Sequence, residues 1–127
     1  MTKTYLIPRV LIGLMALAMA AATLPAYGNV TMNPGLANIT GEAASLGETA
    51  GAFLGRQLTL ILIALIGAVS GQRLLLIIGA FGMMFMNGHD AIFMGLMGGP
   101  AVAAIGGLAF ALLAALSIFL VLRKPAA

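Results

Sequence analysis

Two ionisable residues of opposite sign, Arg56 and Asp90, fall inside otherwise apolar stretches, with Gln57 beside the first and Asn87 and His89 beside the second. A charge set deep in an apolar run is costly unless it is paired or faces a wet cavity. An Arg–carboxylate pair can hold two helices in register, and its guanidinium can also donate to a carbonyl or phosphate oxygen. His89 adds the chain's single imidazole, a group able to trade a proton or bind a metal. Gln57, Asn87 and His89 would complete a hydrogen-bonded belt around the pair. Two readings are open: a polar clamp between helices, or a ligand or proton site.

Four apolar stretches must position these residues, at about residues 5–24, 51–69, 74–97 and 101–122. Each is close to the ~20 residues that cross a ~30 Å hydrocarbon core. The runs are continuous rather than alternating and are rich in Leu, Ala and Met, so strands are disfavoured. Backbone groups in lipid must be satisfied internally, which leaves helices. Composition agrees, with 62% of the 127 residues hydrophobic and only 7% charged. Nine charged side chains cannot cover a water-facing surface. The reading is therefore an all-α, integral membrane four-helix bundle forming one domain. The net charge of +3 comes without a basic run, which argues against nucleic acid as a partner and for the lipid bilayer. The absence of cysteine excludes disulfides and thiolate metal sites.

Ser70-Gly71-Gln72-Arg73 reads as a tight turn, and so does Gly98-Gly99-Pro100, with Pro100 placed to open the last helix. Helices two, three and four then run as antiparallel hairpins. Residues 25–50 form the one long loop, and from about residue 41 the second helix is expected to begin outside the membrane, with Thr40 as N-cap and Glu42 in its first turn. The first stretch also resembles a secretory signal peptide, with Lys3 and Arg9 before an apolar run and Ala18-Met19-Ala20 near its end; a retained helix is expected. Basic residues set orientation. With both ends cytoplasmic, Lys3, Arg9, Arg73, Arg123 and Lys124 lie inside, while the long loop carries Glu42 and Glu48 and no Lys or Arg.

Depth follows from the shared turn. Arg56 is 70 − 56 = 14 residues before Ser70, and Asp90 is 90 − 73 = 17 residues after Arg73. At 1.5 Å per residue the two stand roughly 21 and 25 Å above the turn, less than one helical turn apart. A salt bridge in the outer third of the membrane is predicted, flooring a cavity between helices two and three with Met83, Met86, Phe93 and Met94 as walls. Met83, Met86, Met94 and Met97 follow helical spacing with Asp90. Thioethers beside His89 would suit Cu(I), but copper sites recruit more His or Cys than this, so no metal is expected. Gly47, Gly51 and Gly55 form a tandem GxxxGxxxG, repeated as Gly67/Gly71 and Gly95/Gly99, and predict close helix packing or a homodimer face. No strand precedes these glycines and no Lys-Ser/Thr follows, which argues against a phosphate loop.

Gly55-Arg56-Gln57, the short turn with Gln72-Arg73, and Asn87-Gly88-His89-Asp90 together resemble the DoxX-like group of small bacterial four-helix membrane proteins, a group that includes domains of unknown function. The resemblance covers roughly residues 47–122 and rests on an Arg early in helix two and an Asp late in helix three. It implies a multi-pass protein of the bacterial inner membrane, and for some members an association with quinone-linked redox complexes. The functional expectation is a non-enzymatic binding or accessory protein, since no nucleophile–base pair or metal set is visible. A quinone or lipid is the candidate ligand, and a larger membrane complex or a homo-oligomer the candidate partner. One alternative is an accessory subunit of a quinone-linked redox, photosynthetic or respiratory complex. Another is a small-molecule transporter, weakened because the first helix has no membrane-embedded carboxylate.

Overall fold

The computed structural model describes residues 5–99 and 101–123. Four helices dominate: α1 (Leu6–Thr23), α2 (Glu48–Ser70), α3 (Arg73–Leu96) and α4 (Ala101–Leu122). Their 18, 23, 24 and 22 residues give lengths of roughly 27 to 36 Å at 1.5 Å per residue. All four are long and apolar enough to cross a membrane, and no strand occurs among the described residues. Pro100, Lys3 and Lys124 lie outside the described residues.

Each helix packs on its neighbours in sequence, and α1 closes the ring on α4. Antiparallel order is fixed by contacts at both ends. Arg9, near the start of α1, reaches the carbonyls of Ala68 and Val69 at the end of α2, while Thr23 at the other end of α1 meets Gln57 in the first half of α2. One end of the bundle therefore gathers Arg9, Arg73 and Arg123 and is termed the basic end. The other carries residues 24–47 and is termed the connector end.

The outward faces are apolar, with Leu14, Leu62, Phe85, Leu112 and Phe119 all exposed. In water that surface would far exceed the apolar patch a soluble monomer tolerates. Lipid is the solvent it fits, and the chain is a multi-pass membrane protein. Inside, each helix supplies a fully buried alanine: Ala16, Ala64, Ala80 and Ala114. Small residues let the backbones approach, the main source of helix attraction where lipid removes the hydrophobic drive. Larger side chains, Ile12, Ile61, Leu76, Met83 and Val121, fill the rest.

The tight α2–α3 turn follows from Gly71, whose φ of 70° few side chains tolerate, and whose N–H bonds the Gly67 carbonyl at 2.8 Å. Arg9 closes the same corner. Its Nε and Nη2 donate to the Ala68 and Val69 carbonyls, each at 2.7 Å, satisfying groups that a helix C-terminus leaves unpaired.

The connector departs from expectation. Instead of an extended α2 starting near residue 41, Gly41–Ala44 is an isolated 3-10 turn and α2 begins at Glu48. Gly41 stands at φ 67°, Ser45 is extended, and the Ser45 hydroxyl bonds the Glu42 carbonyl, so the turn is closed off before a helix can propagate. Thr40 precedes that turn without a side-chain cap bond. Three further 3-10 turns cover Leu24–Tyr27, Val30–Met32 and Pro34–Leu36. Asn29 and Asn33 cap the last two by accepting from the backbone of Thr31 and Gly35. Ala26, Val30 and Leu36 pack on Ala50 and Leu54 of α2, so the connector has a small core of its own.

The glycine expectation divides between positions. A methyl group at Gly51 or Gly55 would meet nothing within 4 Å, and one at Gly47 only the Ser45 hydroxyl, so the tandem GxxxGxxxG face is not packed within the bundle. Close approaches occur at Gly67, which the spacing did mark, and at Gly79 and Gly107, which it did not. A Cβ at Gly79 would stand 2.8 Å from Ala64 Cα, at Gly67 2.9 Å from the Leu75 carbonyl carbon, and at Gly107 2.8 Å from the Asn87 oxygen.

Candidate functional site

The inward stripe of α2 runs Ala50, Leu54, Gln57, Ile61, Ala64, in steps of four and three. Gln57 is its single polar member, and Arg56 is turned about 100° away from it. On α3 the stripe runs Leu76, Ala80, Met83, Asn87 and on toward Asp90. These two phases decide which polar residues meet.

Gln57 is the hub of a node that joins three segments. Its Oε1 accepts from Thr23 Oγ1 at 3.0 Å and from Asn33 Nδ2 at 2.8 Å. Asn33 is only 1% exposed. Its Nδ2 also lies 3.3 Å from the Ala22 carbonyl, and its Oδ1 accepts from Gly35 N at 2.9 Å. Three of the four hydrogen-bonding positions of the Asn33 amide are engaged locally, and the connector is pinned across the ends of α1 and α2.

Opposite the node, Asn87 Nδ2 donates to the Met83 carbonyl at 2.8 Å and contacts Met19 Sδ at 3.9 Å. Asp90 stands one turn further along, its side chain 36% exposed. Between the two polar groups lies a partly open cavity of about 480 Å³, walled by α1, α3 and α4, with Gln57 from α2 and Asn33, Pro34, Gly35 and Ala37 of the connector also lining it. Met19, Met86, Met94 and Phe110 supply much of its apolar lining. That volume is in the range of small-molecule sites, which are mostly apolar with a few placed polar groups.

The predicted belt is therefore split. Gln57, Asn87 and Asp90 face one cavity. Arg56 lies on the exposed face of α2, without an ion pair or hydrogen bond to any described residue, and the expected Arg56–Asp90 salt bridge does not form. The two side chains leave their helices on different sides, Arg56 on the exposed face of α2 and Asp90 into the cavity. On a helix facing lipid at that level, about 12 Å from the start of α2, an arginine can snorkel to the headgroup region. His89 stands on the outer face of α3, where its Nδ1 lies 3.3 Å from Asp90 Oδ1. There it continues a ladder of stacked rings, 6.1 Å from Phe85 and 4.5 Å from Phe93, with Phe81 a further 6.5 Å from Phe85.

The cavity too is displaced from its expected place between helices two and three. Met86 and Met94 do line it, but Met83 is fully buried in the core, Phe93 points outward and Met97 is exposed. Thr23 and Asn33 are the site residues that sequence reasoning missed. Asn33-Pro34-Gly35 announces a turn, yet no spacing rule links a loop asparagine to a glutamine 24 residues away. Compared with known proteins, the chain matches no family model, no curated protein and no solved structure.

Proposed function

We propose that the protein is a non-enzymatic, multi-pass protein of the bacterial inner membrane that holds an amphipathic guest in the connector-end cavity. The observation that carries this reading is the convergence of Gln57, Asn87 and Asp90 on one largely apolar space of about 480 Å³. A polar belt serving only to lock helices would be sealed by packing. The gathering of Arg9, Arg73 and Arg123 at one end supports an orientation with that end in the cytoplasm. Kinship with the DoxX-like group remains part of the proposal, resting on the arginine early in the second helix and the aspartate late in the third.

Gly106 lines the cavity, and a side chain built there meets nothing within 4 Å at its Cβ. Gly106→Leu should fill the space without distorting the backbone. Purified in mild detergent and analysed by native mass spectrometry, the wild type is expected to carry a small guest that this variant lacks, at equal or higher thermal stability. If neither carries a guest, or both carry the same one, the cavity does not bind. Reporter fusions test orientation separately, with cytoplasmic signals expected at the α2–α3 turn and extracytoplasmic ones near Asn33.

The quinone-linked accessory role draws less support than the sequence suggested, because quinone carbonyls need donors and Arg56 stands away from the cavity. A transporter role gains Asp90 as a carboxylate in a membrane cavity, but it would also require an opening through the basic end.

A further inference from the structure

We propose that the guest is a small lipophilic amine, its ammonium group held by Asp90 and its apolar body lying along Met86, Met94 and Phe110. The inference rests on the cavity reading above and adds the chemistry of the ligand. Among the described residues lining the cavity, Asp90 is the only one with a charged side chain. Among the described residues no arginine or lysine pairs with it, and its one ion-pair partner is the neighbouring His89. A carboxylate beside an apolar space favours a guest that brings positive charge and N–H donors.

The neutral groups point the same way. The Met83 carbonyl can only accept, so the Asn87 amide nitrogen is committed to it and Asn87 Oδ1 remains as an acceptor without a hydrogen bond among the described residues. Gln57 has the opposite state. Its oxygen is used twice, by Thr23 and Asn33, which leaves the Nε2 group as a donor without a hydrogen bond among the described residues. The wall thus offers a carboxylate and an amide oxygen against one amide nitrogen, and a cationic donor satisfies that surplus. Phe110 and the thioethers of Met86 and Met94 are soft neighbours for a cation.

Size bears on the part of a guest that is enclosed. About 480 Å³, open on one side, takes in a single chain or ring system rather than a whole two-chain lipid. The phosphate of an ethanolamine headgroup would also enter beside Asp90 with no cation in the lining to meet it. A free single-chain or ring amine fits both constraints.

The test uses the purified full chain in maltoside micelles with three probes of equal chain length: dodecylamine, dodecanol and dodecanoic acid. Apparent affinities come from the rise in thermal unfolding midpoint with probe concentration. A charge-assisted hydrogen bond should make the amine about ten- to a hundredfold tighter than the alcohol, with the acid no tighter than the alcohol. In Asp90→Asn the amine should fall to the alcohol's level, and Asp90→Glu should restore part of the preference. An amine that binds no better than the alcohol, or a preference that survives Asp90→Asn, overturns the proposal. Should Asp90→Asn fail to fold, the ranking of the three probes on the wild type still decides. If all three bind alike and Gly106→Leu abolishes them all, the cavity reading stands and the amine assignment falls; if none binds, both fall. Phosphatidylethanolamine retained from nanodiscs by the wild type but not by Asp90→Asn would identify a lipid as the guest and also overturn the assignment.

Discussion

The basic half of the bundle is solid and the connector half is hollow, although the same four helices run through both. In the basic half α4 contributes Ala111, Ala114, Ser117 and Val121 to the interior, while none of its described residues before Ala111 is buried. Gly67 and Gly79 bring α2 and α3 into backbone contact, and Arg9 ties the start of α1 to the end of α2. Toward the connector, α2 turns its buried residues Ala50 and Leu54 to the connector's own core, while α3 and α4 remain close through Gly107. The α1–α2 pair and the α3–α4 pair thus part company, and the cavity is the space between them. Helix packing in lipid depends on small residues meeting small residues. Where the inward stripes change to Gln57, Asn87 and Asp90, that close fit ends.

Arg9 is where breaking the solid half should cost most. Arg9→Ala removes two hydrogen bonds of 2.7 Å from a side chain that is only 8% exposed and uncovers the end of α2. A loss of about 2–3 kcal/mol is expected, read from unfolding in mixed micelles. An effect no larger than that of an exposed Leu14→Ala control would remove the arginine from the stabilising set.

The same substitution made in each half gives a direct contrast. Gly79→Ala places a methyl group 2.8 Å from Ala64 Cα, so α2 and α3 must separate, at an expected cost of about 1–3 kcal/mol. Gly106→Ala meets open space on a helix and should instead stabilise by about 0.5–1 kcal/mol. Equal effects would mean that the halves are equally packed.

How much of this was legible beforehand depends on which variable the sequence encodes. The apolar runs report helix number and approximate ends, because crossing lipid demands a fixed length. The four helices were readable on that ground, and so was the Ser70–Arg73 turn. Azimuth is legible too, since Gln57, not Arg56, continues the Ala50, Leu54, Ile61, Ala64 stripe. The Thr23–Asn33–Gln57 node was not recoverable, since its geometry depends on how the 3-10 turns of the connector fold back. The glycine pattern marks a close approach at Gly67 but none within the bundle at Gly51 or Gly55, for a related reason. Spacing marks a face of small residues but does not say which face of the helix the bundle covers.

Gln57→Leu tests that node. It leaves Asn33 Nδ2 with only the 3.3 Å Ala22 contact and removes the Thr23 acceptor, while the leucine itself suits an apolar surround. A loss of about 1–2 kcal/mol is expected, together with faster proteolysis within residues 24–47. Unchanged protease resistance would show that the small core around Val30 and Leu36 holds the connector alone.

The smallest expected effect separates the two polar systems. Arg56 and Asp90 occupy different faces, one toward lipid and one toward the cavity, so a double-mutant cycle of Arg56→Gln and Asp90→Asn should give a coupling below about 0.5 kcal/mol. Arg56→Gln alone should leave stability nearly unchanged, because a snorkelling side chain gives up little when shortened. A coupling of 1–2 kcal/mol would mean that α2 turns Arg56 toward α3 in the bilayer. The cavity would then be electrically neutral, and the preference of Asp90 for an amine would vanish with it. Measuring the cycle alongside the dodecylamine-to-dodecanol ratio therefore ties one structural feature to one functional consequence: absent coupling goes with amine preference, and strong coupling goes with its loss.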